Sequence, residues 1–254
     1  MKKVVLGSLI AIATSQAGGC IINNNTNTDV AHVTVGWTLR TSLTRAITTC
    51  PPGYDTAALY TQQVDATGRA IGQPIIDLFN CADGLGRTAA LPPAYYEEWM
   101  EIANHTNTSQ FARSKSNLEE APALLIDLTT SDLTYNTEVL VDGGYFRFGW
   151  NLVGETSGQP LSCAAAGAAG GVDALSTEVG TSLGVSDTFH TCSNLEGITG
   201  GLPSAAYTIS IAALNSAGQS VGTAPTLTNK VIQPVSALVP VTDLGVINVP
   251  IAGL

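Results

Sequence analysis

The second half of this chain repeats the first half, landmark by landmark. An alternating apolar segment that contains a Gly-Trp pair occurs twice, at Val33–Leu39 and at Phe146–Leu152. A cysteine follows thirteen residues after each tryptophan, and a Leu-Pro pair follows ten residues after the second cysteine of each copy. The offset between copies is 113 residues up to the first cysteine and 111 from the second cysteine onward. A period of about 110 residues predicts two tandem domains rather than a solenoid of short repeats.

Within each copy the dominant hydrophobic period is two. Apolar residues occupy every second position of Val33–Leu39 and of Tyr207–Ala213, which predicts strands with one buried face. Turn signals such as Pro51-Pro52-Gly53 separate such runs at short intervals. Many short strands in a unit of about 110 residues predict an antiparallel β-sandwich. We therefore expect an all-β chain made of two tandem antiparallel sandwiches.

The N-terminus is typical of a secretion signal. Lys2-Lys3 precedes a short apolar stretch, Val4–Thr14, and small residues lead up to Cys20. The apolar stretch is too short to cross a membrane as a stable helix. Cleavage after Ala17 would leave a soluble secreted protein.

The small residues directly before Cys20 resemble the signal of bacterial lipoproteins, although Ala17 stands where that family usually has leucine. The resemblance implies a signal peptide over residues 1–19 and acylation of Cys20. Residues 20–29 are then the lipidated cysteine and a flexible tether, because an Asn/Thr run buries no apolar surface. Two domains follow, at residues 30–143 and 144–254.

The chain has five cysteines, two at equivalent places in each copy and one left over. Secretion permits disulfides, so Cys50–Cys81 and Cys163–Cys192 are the natural pairs. Each bridge would contribute roughly 3 kcal/mol by restricting the unfolded chain. Cys20 is the unpaired residue, which lipidation would explain, and an intermolecular disulfide is the alternative. No pair has CxxC spacing, so a metal site is not expected.

The late part of the second copy carries a more specific pattern. It consists of Leu202-Pro203, Tyr207, the alternating pair Ile209 and Ile211, then Ala213-Leu214-Asn215 and Gly218-Gln219-Ser220. This pattern resembles the late-strand signature of fibronectin type III domains. The resemblance implies that Tyr207 packs at the start of a strand with its hydroxyl bonded to nearby backbone, and that Trp150 fills the core.

The first copy follows this pattern only in part. It keeps Leu91-Pro92 and Tyr96 but lacks the Gly-x-Ser, and paired cysteines are not part of the ordinary family pattern. We therefore expect a fold of fibronectin type III-like type, within the broader immunoglobulin-like class.

Charge excludes several classes of partner. The formal charge is −10 and charged residues make up 12% of the chain. Such a surface repels phosphate backbones, so nucleic-acid binding is not expected, and it offers no polybasic patch for anionic lipid.

No catalytic constellation stands out, and we expect neither an enzyme nor a cofactor. The three histidines do not recur at equivalent places in the two copies. The acidic residues Glu97, Glu98 and Glu101 could serve a glycosidase as paired acids. A solvated strand face explains them more simply, as a solvated loop explains Glu119-Glu120.

Glu98 is the most informative difference between the copies, because it takes the place of Ile209. If the register holds, its carboxylate is buried and needs a partner, for which Arg40 or Arg45 are candidates. A one-residue slip would instead bury Trp99 and expose Glu98. Without a slip, Tyr95 and Trp99 share an outward face and form a candidate sugar- or peptide-binding surface.

These observations favour a lipid-anchored protein of the cell envelope with a structural, adhesive or display role. By resemblance, Ile21 after Cys20 favours the outer membrane or cell surface, and secretion is the alternative location. The alternative function is a carbohydrate- or peptide-binding accessory module centred on Tyr95 and Trp99. Expected partners are the membrane, through the lipid, and a protein or glycan at the cell surface.

Overall fold

The computed structural model describes residues 30–121, 123–181, 184–233 and 238–254. The predicted signal peptide, Cys20 and the predicted tether lie outside the described residues. The structure is almost entirely β, as the period-two pattern predicts. The strands of the first copy are β1 Val33–Arg40, β2 Thr56–Val64, β3 Ile75–Asn80, β4 Leu85–Arg87, β5 Tyr95–Ala103, β6 Gln110–Arg113, β7 Ile126–Asp127 and β8 Leu133–Leu140.

The strands of the second copy follow in a matching order. They are β9 Gly143–Gly154, β10 Pro160–Leu161, β11 Gly171–Glu178, β12 Val185–His190, β13 Glu196–Ile198, β14 Leu202–Pro203, β15 Ala206–Leu214, β16 Ser220–Thr223, β17 Leu227–Val231 and β18 Val241–Ile251. We call the two sets the first repeat and the second repeat.

The first repeat has two sheets. One has the order β4-β1-β8 and the other the order β3-β2-β5-β6, with β7 added beside β5. In the second repeat the corresponding strands form one continuous sheet of order β10-β9-β18-β16-β15-β11-β12. The two halves join there because β16 pairs with β18 at Gly222 and Ile251.

The last strand of each repeat pairs in parallel with the first. β8 runs parallel to β1 from Val33↔Leu133 to Arg40↔Leu140, and β18 runs parallel to β9 with one irregularity. The alternation in the sequence predicts these closing strands but not their direction, because a period of two is the same in parallel and antiparallel ladders. The other ladders between named strands of the described residues are antiparallel, as expected.

Both repeats centre on a buried tryptophan. Trp37 is 5% exposed and Trp150 is 1% exposed. Each indole N–H donates to the carbonyl of the second cysteine of its repeat, from Trp37 to Cys81 over 3.0 Å and from Trp150 to Cys192 over 3.3 Å. The tryptophans therefore tie the first strand of each repeat to the disulfide region.

The tyrosine corner implied by the resemblance is present in both repeats. The Tyr207 hydroxyl donates to the Pro203 carbonyl over 2.9 Å, and the Tyr96 hydroxyl donates to the Pro92 carbonyl over 2.8 Å. Both rings are buried. The bond satisfies a polar group that burial would otherwise leave unpaired.

The two predicted disulfides are present, Cys50–Cys81 and Cys163–Cys192. The second cysteine of each pair begins a single-turn 3₁₀ helix, at Cys81–Asp83 and Cys192–Asn194. Each bridge thus fastens a loop to the edge of the sandwich at equivalent places.

Candidate functional site

The strand β5 has not slipped. Its burial alternates strictly, with Tyr96, Glu98 and Met100 buried and with Tyr95, Glu97 and Trp99 only partly covered. Trp99 and Tyr95 therefore share the outward face of the sheet, as the unslipped register requires.

Trp99 is held between two side chains from neighbouring strands. Tyr60 on β2 lies directly opposite it in register, and the two rings stack with centroids 5.1 Å apart and an angle of 9° between planes. The guanidinium carbon of Arg113 on β6 lies 5.1 Å from the Trp99 ring centroid. Because β5 runs between β2 and β6, these neighbours cover the two faces of the indole. We call Tyr60, Trp99 and Arg113 the aromatic row.

Polar groups line the rim of the aromatic row. The Trp99 indole N–H donates to Glu101 over 3.1 Å, and the Asn107 amide donates to the Tyr60 hydroxyl over 3.4 Å. Partial burial is the main reason that the pKa of Tyr60 is raised, and the Glu101 carboxylate adds to it. The row therefore presents ring edges and polar atoms to solvent rather than a flat indole face.

Tyr95 lies apart from the aromatic row. It is four residues before Trp99 on the same strand, about 13 Å away at the rise of an extended chain, and its cross-strand neighbours are Val64 and Asp127. The sequence predicts a surface shared by Tyr95 and Trp99, whereas the aromatic ring that stacks on Trp99 is that of Tyr60. Tyr60 was missed because pairing between strands cannot be read from spacing along one strand.

Glu98 lies fully buried in the first repeat, at 0% exposure. Thr61 on β2 donates to its Oε1 over 3.2 Å, and its Oε2 is buried with no hydrogen-bond partner in the described residues. Burial raises the pKa of Glu98 to about 8, the Thr61 bond lowers it, and Asp77 raises it further. The carboxyl is therefore largely protonated at neutral pH.

The predicted arginine partners of Glu98 are wrong. Arg40 and Arg45 both pair with Glu138 on β8, and the Arg40 Nε lies 2.7 Å from Glu138 Oε2. The reason is register, since Arg40 on β1 is the last residue of an outward-facing run near the end of β8. A guanidinium there reaches water and a partly exposed carboxylate without entering the core.

On β5, Glu98 lies between Tyr96 and Met100, which belong to two separate core clusters of the first repeat. One cluster contains Trp37 and Met100, and the other contains Tyr96 and Leu91. In the second repeat, with Ile209 at the equivalent place, a single cluster extends through the sandwich.

Glu138 also marks the junction between the two repeats. Besides its two arginines it accepts a hydrogen bond from the Tyr145 hydroxyl over 3.3 Å. Tyr145 belongs to β9 and is 4% exposed. The junction thus buries an aromatic side chain of the second repeat against charged groups of the first.

A second set of junction contacts comes from the segment after β6, which we call the bridging segment (residues 114–121 and 123–124). The Lys115 ammonium lies 4.5 Å from the Tyr145 ring centroid, a cation–π contact. The Leu118 carbonyl accepts from Arg147 over 3.1 Å, and the Ala123 amide donates to Glu196 over 3.1 Å. Arg147 and Glu196 pair with each other over 2.7 Å.

The chain between the repeats is itself closely packed. Asp142 accepts from the Ser42 amide over 2.6 Å and its carbonyl accepts from Ser204. A Cβ on Gly143 would come within 2.0 Å of the Leu202 carbonyl oxygen, so only glycine fits there. The chain at the boundary between the repeats is therefore bonded to both of them.

The bridging segment is fastened to β5 by buried polar side chains that the sequence analysis did not single out. Asn117, at 0% exposure, accepts from the Glu98 amide over 2.6 Å and donates to the carbonyls of Tyr96 and Leu124. Ser114 accepts from the Met100 amide over 2.9 Å. These side chains take the place of a neighbouring strand. The sequence signal was weak, because serine and asparagine between turns ordinarily predict a solvated loop.

The histidines lie in separate places. His32 is 3.0 Å from the Thr88 carbonyl, His105 is exposed and 3.9 Å from Asp55, and His190 lies beside the Trp150 ring. Burial lowers the pKa of His190. Among the described residues no group of three or more His, Cys, Asp or Glu side chains is placed to hold a metal ion.

Two carboxyls of the second repeat interact closely. Partial burial, with a hydrogen bond to Asp187, raises the pKa of Asp173 to about 6. Asp173 lies on β11 and Asp187 on β12, the last two strands at one end of the sheet.

Comparisons with known proteins give low similarity. No family model matches the chain, and no curated protein matches it. Among solved structures, a leucine-rich repeat protein of Bacteroides thetaiotaomicron is 12% identical with a TM-score of 0.34, and the match covers 88% of this chain but 26% of that protein. The minor pilin GBS52 of Streptococcus agalactiae is 11% identical with a TM-score of 0.28, over 88% of this chain and 97% of the pilin.

A third similar structure is the shaft pilin SpaA of Lactobacillus rhamnosus GG. It is 10% identical with a TM-score of 0.27, and the match covers 89% of this chain and 99% of the pilin. Within the described residues of the present chain, none of the helices has the length and apolar character needed to cross a membrane.

Proposed function

We propose that this protein is a lipid-anchored protein of the cell envelope, in which two fibronectin type III-like domains form a stiff element for structural or adhesive display. The anchor is Cys20, and residues 30–143 and 144–254 are the two domains. The junction between the repeats is the observation that carries the proposal.

The junction supports stiffness because its contacts are distributed. Glu138 with Tyr145 lies at one position, and the bridging segment with Arg147 and Glu196 lies at another. Bending at the junction would have to break several of these contacts together. Partly buried charged pairs that form a network contribute more to stability than isolated surface pairs do.

A non-enzymatic role is part of the proposal. The described histidines are dispersed, and Glu98, whose pKa is raised further than that of Asp173, is buried in the core at 0% exposure. A general acid must reach the group to which it gives its proton.

Glycan or peptide binding at Tyr95 and Trp99 is the second candidate. Its support is the outward position of both residues and the polar rim formed by Glu101 and Asn107. Stacking of a sugar on Trp99 would require displacement of Tyr60 or Arg113, which favours the structural role over the binding role.

The test of the anchor is mass spectrometry of the protein purified from membranes of the producing bacterium, with thiol alkylation before and after reduction. The expected result is a mature chain that begins at acylated Cys20 and has no free thiol until reduction. The Cys20→Ala variant should no longer be found in the membrane fraction. A wild-type chain that begins at Gly18 with an unmodified Cys20 would overturn the anchor and make the protein a secreted one.

A further inference from the structure

The bridging segment closes one side of the first sandwich beside the buried carboxyl of Glu98. Ser114 makes a bridge to Val139 on β8, so the segment passes from the edge of one sheet to the other. Burial raises the pKa of Tyr135 on β8. The negative charges of Glu98 and of Glu119 and Glu120 in the segment raise it further. Glu98 therefore lies behind the segment that carries the junction contacts.

Two hydrogen bonds join the backbone of Glu98 directly to Asn117 of the segment. The Glu98 amide donates to Asn117 Oδ1, and the Asn117 amide donates to the Glu98 carbonyl over 3.3 Å. Asn117 therefore connects the segment to β5 at Glu98, the residue whose carboxyl points into the core. A displacement of β5 at Glu98 would therefore strain or break the Asn117 contacts.

The groups that face Glu98 offer no compensating positive charge. Asp77 faces it from β3, Tyr135 from β8 and Tyr96 from its own strand, while Thr61 on β2 is a neutral donor. Among the described ion pairs, each lysine and arginine of the segment and its surroundings is matched with another carboxylate, Arg113 with Glu119 and Lys115 with Glu120. A negative charge on Glu98 would be buried without a partner.

We propose that the bridging segment is a proton-dependent latch, which holds the two repeats together while Glu98 is protonated and loosens when Glu98 ionises. The proposal rests on the junction contacts used in the proposed function, but not on the lipid anchor. A closed latch keeps Lys115, Leu118 and Ala123 against the second repeat, and an open one releases them.

The direction of the pH effect follows from the two states of the carboxyl. The pKa of Glu98 is raised to about 8 when the latch is closed and returns to about 4.5 when opening brings the carboxyl into water. The closed state therefore holds the proton more tightly. Rising pH favours opening by about tenfold per unit between these two values, and the effect ends above the upper one.

The test is hydrogen exchange with mass spectrometry on the full mature chain, with protection factors for peptides of the bridging segment at pH 5.5, 6.5 and 7.5. Protection factors remove the intrinsic pH dependence of exchange. We expect protection of the segment to fall about 100-fold over these two pH units. In Glu98→Gln, which keeps the shape and cannot ionise, it should stay constant within threefold.

Controls separate a latch from unfolding of the whole repeat. Glu155→Gln removes an exposed carboxylate of the second repeat and should retain the wild-type fall. Peptides of β15, where Ile209 replaces the carboxyl, should show no such fall. Protection that is constant in the wild type, or that falls equally in Glu98→Gln, would overturn the proposal, as would equal protection of the segment and the β2–β5 core.

The outcome is distinguishable from failure of the proposed function. A protein that proves to be secreted would still show the latch, and a constant protection factor would leave the anchor and the junction contacts in place. Should Glu98→Gln fail to fold, Glu98→Ile, which copies the second repeat, gives the same pH-independent reference.

Discussion

Thr61 donates a hydrogen bond to Glu98 across β2 and β5, whereas the equivalent pair in the second repeat is Ser176 opposite Ile209. Ser176 is buried and its hydroxyl has no hydrogen-bond partner in the described residues. The same sheet position thus holds a hydrogen-bonded hydroxyl in the first repeat and an unsatisfied hydroxyl in the second. The two repeats provide a matched comparison of what a buried hydroxyl contributes.

Removing these two hydroxyls should have opposite effects on stability. Thr61→Val deletes the only side-chain donor to Glu98 within the described part of the chain and should lower the free energy of unfolding of the first repeat by about 1–3 kcal/mol. Ser176→Ala removes an unsatisfied group and should leave the second repeat unchanged or stabilise it by up to about 1 kcal/mol. Urea unfolding, followed by hydrogen exchange of peptides from each repeat, measures both effects. A loss of stability in Ser176→Ala equal to that in Thr61→Val would contradict this interpretation.

Trp99 should matter for stability more than Tyr95 does. Its indole has Tyr60 on one side and Arg113 on the other, so Trp99→Ala should destabilise the first repeat by about 2 kcal/mol, less than a fully buried tryptophan costs. Tyr95→Ala should cost less than half as much. Thermal unfolding of the two variants tests the difference, together with glycan-array binding. Lost binding with unchanged stability in Trp99→Ala would favour the binding-module alternative instead.

Leu195 has a left-handed backbone conformation, and the equivalent position of the first repeat is a glycine. Leu195 has φ 59° and the equivalent Gly84 has φ 64°, each directly after the 3₁₀ helix of its repeat. A left-handed conformation costs a non-glycine residue about 1–2 kcal/mol. Replacement by glycine removes this strain, but part of the gain is lost because glycine gives up more conformational entropy on folding. Because Leu195 is 57% exposed, Leu195→Gly loses little burial. We expect a net stabilisation of about 0.5 kcal/mol by urea unfolding, and a loss in Gly84→Leu; a destabilised Leu195→Gly would show that the exposed side chain is needed.

Much of the fold could be predicted because it follows from short-range pattern. The internal repeat indicated where the strands lie, and cysteines at matching places in a chain with a predicted secretion signal identified both disulfides. The tyrosine corner followed from the resemblance at Tyr207. These features depend on residue types at fixed spacing, which a sequence displays directly.

The candidate site was less predictable because it depends on which strands lie side by side. The partners of Glu98 were wrong, since Arg40 faces Glu138 rather than the core. Tyr60 and Asn117 were missed because their roles come from cross-strand register and from a loop that replaces a strand. The parallel direction of β8 and β18 has no signature in a period of two.

The stiffness of the junction is tested most directly by the distance between the repeats, measured by electron–electron double resonance. Nitroxide labels on unnatural amino acids at Ala66 and Ala217, two exposed turn positions, leave the disulfides intact. We expect one narrow distance distribution at pH 6.5. Combined replacement of Lys115 and Arg147 by alanine should broaden it, while Lys230→Ala, which changes a lysine outside the junction, should not. A distribution that is already broad in the wild type, and unchanged in the double variant, would contradict a stiff two-repeat element.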